Sequence, residues 1–265
     1  MTDKMIDKVR RLSTLSSRCG LSLCDWLRLR YTERYQAGHV SLLGIDFSYV
    51  DAASLLSGLS EIFVQQCYKF QAQAQSPLII DCGANVGLSV FYFKRLYPLS
   101  RIQAFEADPK IFETLRSNVA EAKFDNVLTN NRAVWISNDP IEFRSEGGYS
   151  GRVAMTGDDS NISRVNGIRL RDLLEESVDM LKVDIEGAEN KVIVDCADRL
   201  HNVSTIFLEY HSHQHAAQQL DEILRVLKEA GLRYFIKEAF ASEHPFMDRT
   251  TLDGMDLQLN IFAYR

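Results

Sequence analysis

Hydrophobic and polar positions along this chain fall into two textures. Over residues 1–70 the spacing is helical: in Val50–Phe70 the apolar residues Leu55, Leu59, Ile62, Phe63 and Cys67 recur every three or four positions. From Leu78 onward, short apolar runs alternate with helical stripes. Leu78–Cys82, Arg101–Glu106, Val127–Asn131, Val178–Asp184 and Val203–Tyr210 read as strands, and Arg233–Lys237 and Leu257–Tyr264 as the last two. Helices are predicted at Leu88–Leu96 and at Pro109–Lys123, where Phe112, Leu115 and Val119 share a face. Two more are predicted at Ala188–Leu200 and Ala216–Ala230, the latter with Leu220, Ile223, Leu224 and Leu227 on one stripe and Gly231 as its stop. Val203–Tyr210 is almost continuously apolar, as a strand covered on both faces must be.

The segment between the last two strands lacks a helical pattern, so those strands should pair antiparallel. The expected fold is α/β: a seven-stranded, mostly parallel, Rossmann-like sheet with an antiparallel last strand and a helical N-terminal extension. Residues 1–70 form that extension, as lid, packing element or oligomer contact, and residues 71–265 the main domain. Residues 135–171 interrupt the alternation with strand-like pieces at Ile141–Arg144, Arg152–Met155 and Gly167–Leu170, which predicts a β-rich insert. Gly147, Gly148 and Gly151 around Tyr149 and Ser150 suggest a mobile loop that covers a site.

Composition narrows the class. Of 265 residues, 46% are apolar, enough for a large core and against disorder. The net charge of −6 argues against a nucleic-acid binder. The five cysteines, Cys19, Cys24, Cys67, Cys82 and Cys196, include no C-x-x-C pair and read as reduced, mostly buried thiols of a cytoplasmic protein, not as a zinc site. No run approaches the ~20 apolar residues of a membrane span. Residues 1–36 hold eight bases against four acids, a net of +4 that leaves the remainder at −10. Such a segment suits contact with anionic lipid or with a second subunit of a homo-oligomer; packing on the main domain is the favoured role.

The strongest local signal is Asp81-Cys-Gly-Ala-Asn-Val-Gly87, between the first strand of the main domain and its helix. Glycines there permit positive φ, and the helix start offers free N–H groups, so the unit suits a nucleotide-type cofactor. Dinucleotide and S-adenosylmethionine sites both begin this way, and three features favour the second. The spacing is not G-x-G-x-x-G, and Asn85 suits a left-handed position where another glycine would stand. Glu106, ending the second strand, can accept two hydrogen bonds from ribose hydroxyls. The antiparallel final pair departs from the ordinary dehydrogenase ending.

Four segments together, Asp81–Gly87, Ala104-Phe-Glu-Ala-Asp108, Leu181-Lys-Val-Asp-Ile-Glu-Gly-Ala-Glu189 and Leu208-Glu-Tyr-His211, resemble the FkbM family of class I S-adenosylmethionine-dependent methyltransferases. The resemblance runs from Phe70 to the C-terminus, and its most specific part is Asp184–Glu189. It implies methyl transfer, usually to a hydroxyl oxygen. The ending Gln258–Arg265 is similar to members associated with glycan and polysaccharide biosynthesis. It also implies that Asp81, Gly83, Asn85 and Gly87 hold the methionine part, with Asp81 accepting from the ammonium group directly or through water. By the same resemblance Glu106 binds the ribose, Ala107 and Asp108 border the adenine, and Arg132 and Ala133 line its other face. Helix capping is the plain alternative for Asp81 and Asp108.

Methyl transfer from a sulfonium depends mainly on alignment, but an aliphatic hydroxyl still needs a base. Asp184, Glu186 and Glu189 follow one central strand, and Glu209 and His211 end the next, where open α/β sheets bind ligands. Alternate residues share a face of a strand. Catalysis is expected from this set, with His211 as general base, oriented by Glu186 or Glu209, and Asp184 beside the methyl donor. Lys182 and Glu189 are secondary candidates for acceptor contact, against the plainer roles of a satisfied lysine and a first-turn helix carboxylate. Tyr149, Ser150 and Arg152 of the insert are further candidates, against a surface loop. No metal is assigned: the strand is expected to end within His211-x-His213-x-His215, and a divalent cation on Asp184 and Glu209 is a less favoured alternative. The expected activity is O-methylation of a sugar hydroxyl in a glycan or its lipid- or nucleotide-linked precursor. A polyketide or other natural-product hydroxyl is the rival acceptor, NAD-dependent sugar oxidation the rival chemistry, and cofactor binding without catalysis the non-enzymatic rival.

Overall fold

A computed structural model describes residues 13–145, 151–153 and 162–265 of the chain. Helices α1 (13–19) and α2 (Leu23–Tyr31) lead into strands β1 (Gly38–Leu42) and β2 (Ile45–Tyr49), then α3 (Ala52–Gly58). The main domain follows with β3 (Leu78–Cys82), α4 (Leu88–Leu96), β4 (Arg101–Phe105), α5 (Pro109–Glu121) and β5 (Val127–Asn130). Strands β6 (Ala133–Trp135), β7 (Pro140–Ser145), β8 (Gly151–Val153) and β9 (Ile162–Arg169) make the insert, a separate sheet in the order β6-β9-β7-β8. The chain then forms α6 (Leu170–Leu173), β10 (Val178–Val183), α7 (Glu189–Asp195), β11 (Val203–His213), α8 (Leu220–Glu229), β12 (Arg233–Ala241) and β13 (Met255–Tyr264).

The main sheet has seven strands in the order β12-β13-β11-β10-β3-β4-β5. β13 runs antiparallel to both neighbours, and the strands from β11 to β5 are parallel. This is the Rossmann-like sheet with a reversed last strand that the apolar pattern predicts. The strand order turns back between β3 and β10, and such a switch point opens a crevice at the C-terminal strand ends. β3 is buried along its whole length because both faces are covered. Ile79 enters a core with α4, α5 and the N-terminal segment, and Leu78, Ile80 and Cys82 enter one with α7 and α8.

The N-terminal extension differs from the helical expectation. Val40 and Leu42 on β1 and Phe47 and Tyr49 on β2 point inward, joined by Leu43 and Gly44 at φ 56° and 87°, a two-residue hairpin turn. The single helix expected over Val50–Phe70 is α3 followed by a π-helical turn, Leu59–Gln65. The extension shares the core of α4 and α5. Asn118 of α5 ties the two together: its amide donates to Ser48 O and Val86 O at 2.9 Å, and its Oδ1 accepts from Ser48 N.

β11 runs to His213, three residues beyond the expected end, and α8 begins at Leu220. Arg152 lies on β8 opposite Arg144, whereas Tyr149 and Ser150 lie outside the described residues. All five cysteines are unpaired, with Cys19, Cys82 and Cys196 buried. Among the described residues, no helix is long and apolar enough to cross a membrane.

Candidate active site

The crevice at the switch point holds a cavity of about 320 Å³, at the low end for a small-molecule site. One side is the turn after β3. Gly83, Asn85 and Gly87 all have positive φ, at 83°, 48° and 101°, and the Asn85 side chain steadies the turn by accepting from Val86 N. A Cβ on Gly83 would sit 1.9 Å from the backbone oxygen of Asp184. That glycine therefore lets the end of β10 lie directly against the turn.

Beneath the turn is a buried ion cluster. Asp81 is wholly buried and accepts from the Ser89 hydroxyl, while Lys182 reaches across from β10 to stand 3.4 Å from both Asp81 and Asp184. The lysine donates to Gly83 O at 2.8 Å and lies 5.7 Å from the Tyr68 ring centre. Burial works against its charge, but Asp81, Asp184 and Glu209 outweigh that and hold its pKa above the ordinary lysine value. Asp81 does not line the cavity; it anchors the floor through Lys182 and Ser89.

Glu106 follows β4 and faces the cavity. One of its oxygens accepts from Asn85 N and the other from Asp108 N, each at 2.9 Å. Burial raises its pKa to about 7 despite these bonds. Ala107, Arg132 and Ala133 line the cavity beside it. Asp108 instead caps α5, accepting from Lys110 N and Ile111 N, which is the plain alternative weighed for it. Asn131 shapes this corner by donating to Glu106 O and Ala107 O.

The opposite side is acidic. Asp184, Glu186, Glu209 and His211 all line the cavity, brought together by the ends of β10 and β11. Glu186 and Gly187 are both left-handed, at φ 56° and 96°, so the chain doubles back there before α7. The Glu189 carboxylate holds that turn by accepting from Ile185 N and Gly187 N at 3.0 Å. It also meets His211 Nδ1 at 3.1 Å, buried with it and away from the cavity lining. His211 Nε2 faces Glu186 and Glu209 at 3.6 Å each, and Gln258 of β13 donates to Glu209. His213, past a register shift at Ser212, lies against Gly187, and His215 is exposed in the turn beyond; neither joins the group formed by Asp184, Glu186 and His211.

The cluster bears on the charge of the ring. Burial disfavours the imidazolium, but Glu189, Glu209 and Glu186 outweigh it, and the His211 pKa stands well above its ordinary value. The neighbouring carboxylates orient His211 as expected, and the upward shift they cause favours the imidazolium, which weakens the case for the ring as proton acceptor. Burial, with like charges nearby, raises Glu186 to about 8 and also raises Glu209.

Sequence reasoning missed Glu61, Tyr68 and Gln258, all on the cavity wall. Glu61 sits on the π-helical turn near Asn260, with its pKa raised to about 7 by burial and by Glu209 and Asp184. It was legible as a lone acid among Leu59, Ile62 and Phe63.

These carboxyls set a pH dependence. Glu61, Glu106 and Glu186 keep their protons in the fold up to about 7, 7 and 8, whereas the unfolded chain loses them near 4.5. The unfolded state therefore binds fewer protons through that window, and stability falls as pH rises. The raised His211 acts in the same direction. Thermal melting of the ligand-free protein should show the midpoint dropping between pH about 5 and about 8; a flat or rising midpoint would contradict these placements.

Comparison with known proteins finds relatives of this chain. Residues 81–234 match the family described as the methyltransferase FkbM domain. The chain is 29% identical over 172 residues to methyltransferase sdnD of Sordaria araneosa, a match covering 50% of this chain and 65% of that protein. It is 27% identical over 160 residues to 2-O-methyltransferase NoeI of Sinorhizobium fredii, covering 52% and 65%. The matches thus span just under two thirds of these relatives' length. Among solved structures, methyltransferase FkbM of Methylobacillus flagellatus aligns with a TM-score of 0.45 at 14% identity, over 97% of this chain and 60% of that one. The M. jannaschii TYW2 complex with AdoMet aligns at 0.49 and 11%, over 88% and 87%.

Proposed function

The chain belongs to the FkbM family of methyltransferases, and from that premise we propose that it transfers a methyl group from S-adenosylmethionine to a sugar hydroxyl of a glycan or glycan precursor. The observation that carries this reading is the two-sided cavity: a glycine turn and Glu106 on one side, and Asp184, Glu186, Glu209 and His211 on the other.

The residues present fit the cofactor. Each Glu106 oxygen accepts a single backbone N–H and keeps capacity for a ribose hydroxyl. Ala107, Arg132 and Ala133 would flank the adenine, and the Gly83–Gly87 turn with Asp184 would hold the methionine end. Bound there, S-adenosylmethionine supplies a methyl group already activated by its sulfonium.

The chain's own task is to orient the acceptor, exclude water and take its proton. Glu209 is the group best placed for the proton. It lines the cavity, Gln258 fixes its carboxylate, and its raised pKa brings it nearer the working range of a base. His211, pinned by Glu189, steadies the carboxylates around it. Tyr68, Ile62 and Met255 supply apolar wall. Glu61, Asp184, Glu186 and Glu209 offer carboxyl oxygens that can hydrogen-bond the hydroxyls of a neutral polyol, which favours an uncharged sugar. The name 2-O-methyltransferase carried by one relative supports oxygen as the methylated atom.

Calorimetry with S-adenosylhomocysteine tests the cofactor assignment. Saturable binding is expected, weakened at least about tenfold in Glu106→Ala, the scale of losing one or two charge-assisted hydrogen bonds. Binding of NAD in place of S-adenosylhomocysteine would sink the proposal.

A further inference from the structure

The acidic side of the cavity has a second property that proton transfer does not use. Asp184, Glu186 and His211 each bring one ligand-type atom within 4.8 Å of the other two. We propose that these three residues form a divalent-cation site that holds the acceptor hydroxyl, an inference that rests on the methyl-transfer reading above.

Two features separate this group from an acidic surface patch. First, it combines one imidazole with two carboxylates drawn from different elements: the end of β10, the left-handed turn after it, and β11. Atoms bonded to one ion at about 2.1 Å lie about 3 to 4.2 Å apart, and the 3.6 Å between His211 Nε2 and Glu186 falls in that range. Second, the ring is already oriented as metal-binding histidines are. Its Nδ1 is taken by Glu189, whose carboxylate is itself fixed by two backbone N–H groups. The ring is 1% exposed, and Nε2 is aimed at Glu186 and Glu209, 3.6 Å from each, with the Gln258 amide at 3.5 Å. Nearby, Lys182 is already committed to Asp81, Asp184 and two backbone carbonyls.

Two carboxylates and one imidazole suit Mn²⁺ or a similar ion that accepts both oxygen and nitrogen ligands. Three protein ligands leave positions for the acceptor hydroxyl, a neighbouring hydroxyl and water. The ion would take the place of the ring proton on His211 and of the proton on Glu186, both released to solvent. A hydroxyl on the ion becomes more acidic, which eases its loss of a proton to Glu209.

The probe is Mn²⁺, titrated into the full chain and followed by loss of the free-ion EPR signal, with and without S-adenosylhomocysteine. One saturable Mn²⁺ per chain is expected. Binding should weaken by at least about tenfold in Asp184→Asn and in His211→Ala, and by about 10- to 100-fold in Glu189→Gln, which removes no ligand but frees the ring. Retained affinity for S-adenosylhomocysteine in His211→Ala and Glu189→Gln would show that the fold is intact. Absence of saturable Mn²⁺ binding to a wild-type chain that binds S-adenosylhomocysteine would overturn the site, as would undiminished binding in both Asp184→Asn and His211→Ala. Failure of the wild type to bind S-adenosylhomocysteine would count instead against the methyl-transfer reading, because the Mn²⁺ titration is read independently of it.

Discussion

Replacing Lys182 by Met should destabilise the protein by about 3–5 kcal/mol, the usual cost of removing one partner from a buried ion pair. The lysine is 2% exposed and stands between Asp81, wholly buried, and Asp184. Without it, Asp81 keeps its Ser89 hydrogen bond but loses its counter-charge, and Gly83 O loses a donor. Urea unfolding measures the loss. Asp81→Asn in the Lys182→Met background should recover part of it, since the uncompensated charge is then gone; a double variant less stable than Lys182→Met would show that the lysine matters through packing rather than charge.

The largest catalytic effect is expected at Glu209. Glu209→Gln keeps the shape and the place beside Gln258 but cannot accept the acceptor's proton. Its kcat should fall by about 10²- to 10⁴-fold, the range for a positioned general base. Affinity for S-adenosylhomocysteine should be unchanged, because Glu106 and the glycine turn hold the cofactor. Wild-type activity should rise with pH as Glu209 loses its proton, through a value raised above the ordinary carboxylate range, and the variant should lack that rise. Wild-type turnover in Glu209→Gln would move the role to another group, with Glu61 the next on the cavity wall.

Much of the scaffold was legible from periodicity. Apolar runs at Leu78–Cys82 and Val203–Tyr210 marked the buried strands, and the missing helix before Leu257 marked the reversed last strand. Glu209 and His211 could be paired because alternation puts them on one face of β11, whereas Asp184 and Glu186 lie beyond the end of β10 and reach the cavity through the left-handed turn at Glu186 rather than by alternation. The hairpin β1–β2 was harder. Its alternation covers only Val40 to Tyr49, and the helical stripes on either side masked it. The direction in which an acid points was also hidden: Asp81, Asp108 and Glu189 resemble site residues in sequence, yet Lys182 and backbone N–H groups turn them into the scaffold. Capping was the plain alternative for Asp108 and is what the structure has, but the pairing of Asp81 with Lys182, about a hundred residues away, and of Glu189 with His211 follows from the fold rather than from local sequence. Glu61 and Gln258 were missed for the converse reason: they approach the site from the N-terminal extension and from β13, and although Gln258 opens the segment that resembles the family, nothing local marks either residue as facing the cavity.

The most direct test is mass spectrometry of neutral glycans and sugar precursors incubated with the full chain and S-adenosylmethionine, with S-adenosylhomocysteine measured alongside. The account predicts one acceptor gaining one methylene on a hydroxyl oxygen, matched mole for mole by S-adenosylhomocysteine. A methyl group found on nitrogen or carbon, or oxidation of the sugar with NAD in its place, would contradict it.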